Sequence, residues 1–340
     1  MKFILIGRRE EKRQRTGALQ DASRYSAVTG EREASWSAAA LHRFRARARL
    51  PIAQYQRVRK SKFLSVISLM RAGKQVDLKR ALAAAARAAQ SAGALMRRQL
   101  HATKKAHLVT QHDIKLELDV RCQELIEKSL LRSFPDVAVL GEEGVSGLAD
   151  AEYRWVVDPI DGTVNYAYGI PHACVSIALQ RRAETPGAAD YEDGYQSLVG
   201  VVYDPFCGEL WTAIRGQAAR LNGRIVKVSK RRKLGEAIVS IGFAKTRDNL
   251  EATLPAFIEL AHSVRKLRIM GSAALDLAYV ATGRFDAYIE QGIRLWDVAA
   301  GGLIVECAGG EFWHRAIPGS HAYRITASNG LLRRHLRIPD

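Results

Sequence analysis

The sequence predicts an α/β protein, an α+β lobe followed by an α/β lobe, and three observations lead there. Helical patterning comes first, short runs of β-forming residues come next, and the last hundred or so residues alternate strand with helix. A chain of 340 residues suits one large enzyme domain or two smaller ones. Hydrophobic residues make up 47% and charged residues 26%, enough for a substantial core. No apolar run approaches the roughly 18–20 residues that cross a bilayer, so membrane-spanning and wholly disordered classes are set aside.

Residues 1–76 stand apart. They hold 18 Lys and Arg against 5 Asp and Glu, a net +13, while the remainder holds 34 against 30, a net +4. The basicity therefore belongs to the extension. Three readings fit it: a disordered basic arm able to touch nucleic acid, a targeting segment, or a stretch upstream of a true start at Met70. Globular patterning begins at Asp77, a candidate N-cap for an Ala-rich helix through about Leu100. A second helix is expected from about Leu116 to Ser133, stopping before Pro135. Strands follow at Val137–Leu140, Trp155–Val157, Val175–Leu179, Leu198–Tyr203 and Leu210–Ile214. After about residue 235 the order is strand Ala237–Phe243, helix Leu250–Val264, strand Leu267–Met270, helix Ala273–Ala281, strand Phe285–Ile289, helix Val298–Cys307 and strand Tyr323–Ala327. The lobes divide at about 77–230 and 231–340. Four scattered cysteines, Cys122, Cys174, Cys207 and Cys307, form no Cys-x-x-Cys pair and read as reduced thiols in a cytoplasmic protein.

The chemistry concentrates in Trp155-Val156-Val157-Asp158-Pro159-Ile160-Asp161-Gly162-Thr163. An apolar strand runs into two aspartates three residues apart. Pro159 ends the ladder, and Gly162 lets the backbone approach a ligand. Such a turn can aim Asp158, Asp161 and the Ile160 carbonyl at one spot, the all-oxygen set that hard divalent cations take. An ordinary Asp-Pro turn is the plain alternative. Glu142 and Glu143 end a strand upstream, and adjacent strand-end glutamates diverge, so one of the two is expected at a shared site. Asp297, after Trp296, is placed to cap the following helix. Asp119 sits near the start of the second helix, where the dipole favours an acid.

Taken together, Gly141-Glu142-Glu143, Asp158-Pro159-Ile160-Asp161-Gly162-Thr163, Gly271-Ser272-Ala273-Ala274, Glu290 and Trp296-Asp297 resemble the inositol monophosphatase family of metal-dependent phosphatases over about residues 77–340. The resemblance implies the layered α-β-α-β-α sugar-phosphatase fold. It implies two to three Mg²⁺ ions: Glu142, Asp158 and the Ile160 carbonyl for the first, Asp158, Asp161 and Asp297 for the second, and help from Asp119 for a third. Thr163, hydrogen-bonded to Asp119, would orient the attacking water, and the Gly162 and Thr163 amides would hold the phosphate. Asp161, Gly271, Ser272, Ala273, Glu290 and Asp297 would border the polyol. The implied reaction is direct attack of metal-bound water on a small polyol phosphate, inositol 1-phosphate above all, with no phosphoenzyme. Val164-Asn165-Tyr166-Ala167-Tyr168-Gly169-Ile170-Pro171 resembles the inositol monophosphatase branch more than the nucleotide bisphosphatases. Histidinol-phosphate and fructose-1,6-bisphosphate phosphatases share most of the motifs and remain alternatives, as does an RNA- or transcription-associated role for the basic arm. The family also implies a homodimer, and the sequence of the body offers no membrane motif, so no membrane partner is expected.

Overall fold

The computed structural model describes residues 75–336, apart from 110–113, 149–150, 186–188, 244–246 and 319–321. The expectations for residues 1–74, Met70 included, lie outside the described residues.

Helix α1 spans Leu78–Gln99, and its N-cap is Asp77, whose Oδ1 accepts from the Lys79 and Arg80 amides at 2.9 and 3.2 Å. A stripe of buried alanines (81, 84, 85, 88, 89 and 92) lets the helix lie close to its neighbours. A hairpin of β1 (Ala106–Val109) and β2 (Ile114–Leu116) follows, then α2 (Glu117–Ser133). Strands β3 (Ala138–Gly141), β4 (Gly144–Ser146), β5 (Tyr153–Asp161), β6 (Cys174–Arg182), β7 (Tyr195–Asp204), β8 (Glu209–Ile214), β9 (Arg220–Leu221) and β10 (Arg224–Ile225) build an eight-stranded sheet. Its order is β10-β9-β8-β7-β6-β5-β3-β4, and β3–β5 is its parallel pair. The short helix α3 (Thr163–Ala167) leaves the end of β5.

The second sheet has five strands: β11 (Ile238–Ile241), β12 (Lys266–Arg268), β13 (Ala287–Arg294), β14 (Glu311–Ile317) and β15 (Ala322–Ser328), in the order β12-β11-β13-β15-β14. Helices α4 (Arg247–Ser263) and α5 (Ala273–Ala281) connect the parallel strands, and α6 (Leu295–Cys307) follows β13. Three apolar clusters separate five layers. One joins α1 and α2 to the first sheet around Trp155, Ile126 and Met96. The second joins both sheets through α5 and α6 around Trp211, Leu277 and Ile304. The third covers the far face of the second sheet with α4 and the C-terminal residues Leu332 and Leu336. This is the layered α/β architecture expected. No described helix is long and apolar enough to cross a membrane.

The sequence reading differs from the structure at short or irregular elements. It omitted β1, β2, β4, β9 and β10, strands of two to four residues in which a period of two barely registers. It omitted β14, whose residues are all partly buried except exposed Arg315 and so do not alternate cleanly. It began the last helix at Val298, whereas α6 starts at Leu295.

Candidate active site

A cavity of about 270 Å³ opens where the ends of β3, β5, β11 and β13 meet the starts of α3, α5 and α6. Glu142, Asp158, Ile160, Asp161, Gly162, Thr163, Gly271, Ser272, Ala273, Glu290 and Asp297 all line it.

The Asp-Pro-Ile-Asp segment works as a bend in a buried strand. The β5–β6 register shifts between Asp158 and Asp161, so Pro159 and Ile160 fall outside the regular ladder. Asp158 Oδ1 accepts from the Ile160 amide at 3.0 Å, the bend of an ordinary Asp-Pro turn. Gly162 then takes φ +90°, in the left-handed region, and a Cβ there would lie 2.9 Å from the His172 carbonyl oxygen. Thr163 opens α3, and its hydroxyl donates to the Ile160 carbonyl at 2.8 Å.

Each remaining acid is oriented by a backbone element. Asp161 accepts from Ser272 Oγ at 2.6 Å and from the Ala273 and Ala274 amides at 3.2 and 2.8 Å, so the start of α5 grips it. Asp297 is not the N-cap of α6. It is the third helical residue, and its Oδ2 reaches back to the Arg294 amide at 2.9 Å. Asp119 repeats this device in α2: its Oδ2 accepts from the Leu116 amide at 2.6 Å, and its buried Oδ1 has no hydrogen-bond partner among the described residues. The implied Thr163–Asp119 hydrogen bond is not formed: the Thr163 hydroxyl donates to the Ile160 carbonyl, Asp119 Oδ2 accepts from the Leu116 amide, and Asp119 is not among the residues that line the cavity. Glu143 turns away to pair with Lys115 at 2.8 Å, while Glu142 lines the cavity.

Oxygens of Asp158, Asp161 and Asp297 lie within 4.8 Å of one another. Burial, then the charges of Glu142, Asp297 and Asp161, drives Asp158 well above the usual carboxylate range. Burial, then Asp161, does the same to Asp297. Burial also raises Asp161, against the pull of its hydrogen bonds from Ser272, Ala274 and Ala273. Burial pushes Asp119 to about 8, with Glu142 adding to the rise. Carboxylates this close stay ionised only beside a cation. An all-oxygen donor set with an unpartnered buried oxygen at Asp119 fits a hard divalent metal.

The sequence reading missed other cavity residues. Tyr288 hydrogen-bonds Glu290 through its hydroxyl. Asp276 accepts from Ser240 Oγ at 2.8 Å. Gly242 leaves room for Glu290, because a Cβ there would fall 1.9 Å from Glu290 Oε2. Asn165 donates from Nδ2 to the His172 and Met270 carbonyls at 2.9 and 2.8 Å and so ties together two cavity walls. Nothing local marks these roles, which depend on partners up to 105 residues away.

The chain is 42% identical over 228 residues to the "Nus factor SuhB" of Xylella fastidiosa, covering 66% of this chain and 78% of that protein. It is 40% identical over 258 residues to "Inositol monophosphatase 1" of Solanum lycopersicum, covering 74% and 89%. The inositol monophosphatase structure from Anabaena (Nostoc) superposes with a TM-score of 0.63 at 36% identity, covering 77% of this chain and 95% of that one. A sequence model described as the inositol monophosphatase family matches residues 77–331. The chain belongs to the inositol monophosphatase family, a family of metal-dependent phosphoric monoester hydrolases.

Proposed function

We propose that the protein hydrolyses the phosphate monoester of a small polyol with Mg²⁺, and that inositol 1-phosphate is its preferred substrate. The observation that carries this reading is the trio of buried Asp158 and Asp161 and half-buried Asp297, with oxygens within 4.8 Å of one another, in one cavity with Glu142 and Glu290. Glu142, Asp158 and the Ile160 carbonyl would hold one Mg²⁺, and Asp158, Asp161 and Asp297 a second. Asp119 has an oxygen to spare for a third. Bound Mg²⁺ would supply charge neutralisation of the phosphate and a lowered pKa for water at the site.

The chain's own groups do the positioning. Thr163 keeps its proton on the Ile160 carbonyl, so its oxygen is presented as an acceptor that can orient a water O–H. The Ile160 carbonyl has a second lone pair for a metal. The Gly162 and Thr163 amides face the phosphate. Glu290, held by Tyr288, accepts from substrate hydroxyls on the far wall. The test is phosphate release by the full chain from inositol 1-phosphate, fructose 1,6-bisphosphate, histidinol phosphate and adenosine 3′,5′-bisphosphate. Turnover should favour inositol 1-phosphate and stop with EDTA. Turnover that persists in EDTA would remove the metal from the mechanism.

Gly242→Ala separates polyol recognition from chemistry. The added methyl displaces Glu290. KM for inositol 1-phosphate should rise about 10-fold or more, given roughly 1–3 kcal/mol for a lost buried hydrogen bond. Hydrolysis of an aryl phosphate, which has no hydroxyls to recognise, should hold. Equal losses on both substrates would assign Glu290 another role.

Self-association is part of the same reading. Val164, Tyr168, Ile170 and Ile269 are exposed apolar side chains on the two segments tied together by Asn165. That patch suits a second copy of the chain. Light scattering should give a dimer mass. The relatives named Nus factors and the basic extension favour a second role, nucleic-acid contact through residues 1–69. Deleting them should then cut salt-sensitive RNA binding.

A further inference from the structure

Three segments distant in sequence meet at the pole of the second sheet opposite the cavity. Strands β11 and β12 run parallel, and just beyond their C-terminal ends Gly242, Ile269 and Gly271 line the cavity. Their N-terminal ends therefore lie at the other pole. Residues 230–236 lead into β11, residues 262–266 lead into β12, and residues 331–336 follow β15. The Lys266 amide donates to the Ala237 carbonyl at 3.3 Å, and Asn329 Nδ2 donates to the Arg231 carbonyl at 2.9 Å. Leu332 and Leu336 are buried in one cluster with Ala237 and Val239, and Leu234 and Val264 pack against it. The core fixes the three backbones side by side.

Their charge is one-sided. These 18 residues hold eight Lys and Arg and one acid, Glu236. Arg231 is committed to buried Asp286, Arg333 reaches Glu311 at 3.4 Å, and Lys233 lies 4.0 Å from Glu236. Lys230, Arg232, Arg265, Lys266 and Arg334 are exposed and form no ion pair among the described residues. Five unpaired cations on a fixed surface repel one another, and a polyanion relieves that repulsion. Guanidinium groups suit phosphate in particular. The 18 residues include no Phe, Tyr or Trp, so the surface offers contact to a phosphate backbone and no platform for base stacking. Its cations come from three separate segments and not from one amphipathic helix, which disfavours a lipid surface.

We infer that this pole is a nucleic-acid-binding surface that grips the phosphate backbone without regard to sequence. It lies at the opposite pole from the catalytic cavity and is built from residues outside the basic extension, so nucleic acid can be held while the cavity stays open. The inference does not rest on the phosphatase reading.

The test uses the full chain and fluorescent 20-nucleotide single-stranded RNA, single-stranded DNA and duplex DNA, titrated between 50 and 200 mM salt. One variant carries Arg232→Glu, Arg265→Glu, Lys266→Glu and Arg334→Glu. A control reverses four exposed cations elsewhere: Lys79→Glu, Arg87→Glu, Lys128→Glu and Arg224→Glu. Melting temperatures check folding, and the milder pair Arg232→Gln, Lys266→Gln should move in the same direction. The four-site variant should lose at least about 10-fold in affinity, and its log–log salt slope should flatten by about 3, the release expected from four phosphate contacts. The control should keep both. Wild-type binding by the four-site variant, or an equal loss in the control, overturns the inference. So does binding to phosphatidylserine vesicles with none to nucleic acid.

Discussion

An Asp158→Asn chain is expected to lose about 100- to 1,000-fold in kcat on inositol 1-phosphate while melting no lower than wild type in EDTA. The activity loss follows from removing one charge from a site whose chemistry is electrostatic, where single preorganised groups are worth about that much. The stability expectation follows from burial. Asp158 is 1% exposed and stands among Glu142, Asp161 and Asp297, with no ion pair to a cation among the described residues. The amide keeps the shape and the acceptor for the Ile160 amide but brings no charge. A buried charge without its counter-ion is a cost that a neutral isostere avoids. Steady-state kinetics and a melt in EDTA read the two halves independently. A variant with wild-type turnover removes Asp158 from the catalytic set, and one that melts far lower makes its role architectural.

Mg²⁺ is expected to raise the melting temperature more at pH 8 than at pH 6. Asp119, Asp158, Asp161 and Asp297 all have folded-state pKa values above the ordinary carboxylate range, because burial and mutual repulsion oppose ionisation. The metal-free folded protein therefore binds more protons than the unfolded chain. Its stability falls as pH rises from about 4, the ordinary value, through the folded values, about 8 for Asp119. Cation binding needs those same groups ionised, so it strengthens as protons leave. At about 100 times Kd the ion contributes roughly 2.7 kcal/mol, or about 5–10 °C in a domain of this size. Scanning with Mg²⁺ or EDTA at both pH values checks the sign. A larger gain at pH 6 would mean that these carboxylates do not share the ion.

Much of the site was legible because its chemistry is written in short stretches. Trp155–Thr163 carries the apolar strand, the ladder-ending proline, the two acids and the glycine within nine residues, and the structure bends where those residues require it. Asp297 was read as a helix cap with a second face toward the site. The geometry moves it three residues into the helix, because Leu295 and Trp296 extend α6 backwards. Asp276 was invisible for a different reason. As an acid in the first turn of a helix it reads as an ordinary partner of the helix dipole, and its burial depends on Ser240, 36 residues earlier on another strand. Gly242 likewise has meaning only beside Glu290. Patterns of two or four residues can be read along a chain, whereas a contact between β11 and β13 cannot.

Asp119 and Asp297 occupy the same place in α2 and α6, one oxygen of each spent on closing the helix start; the other oxygen of Asp119 is buried without a partner, and Asp297 lines the cavity. Helix register and carboxylate direction are thus the same variable. Adding or deleting one residue between Arg294 and Asp297 would swing the acid by about 100° and shift it by about 1.5 Å, and no side-chain rotation could return it. The same holds between Leu116 and Asp119. These two turns cannot change length, so any drift in chain length across this domain has to be absorbed by the surface loops between elements.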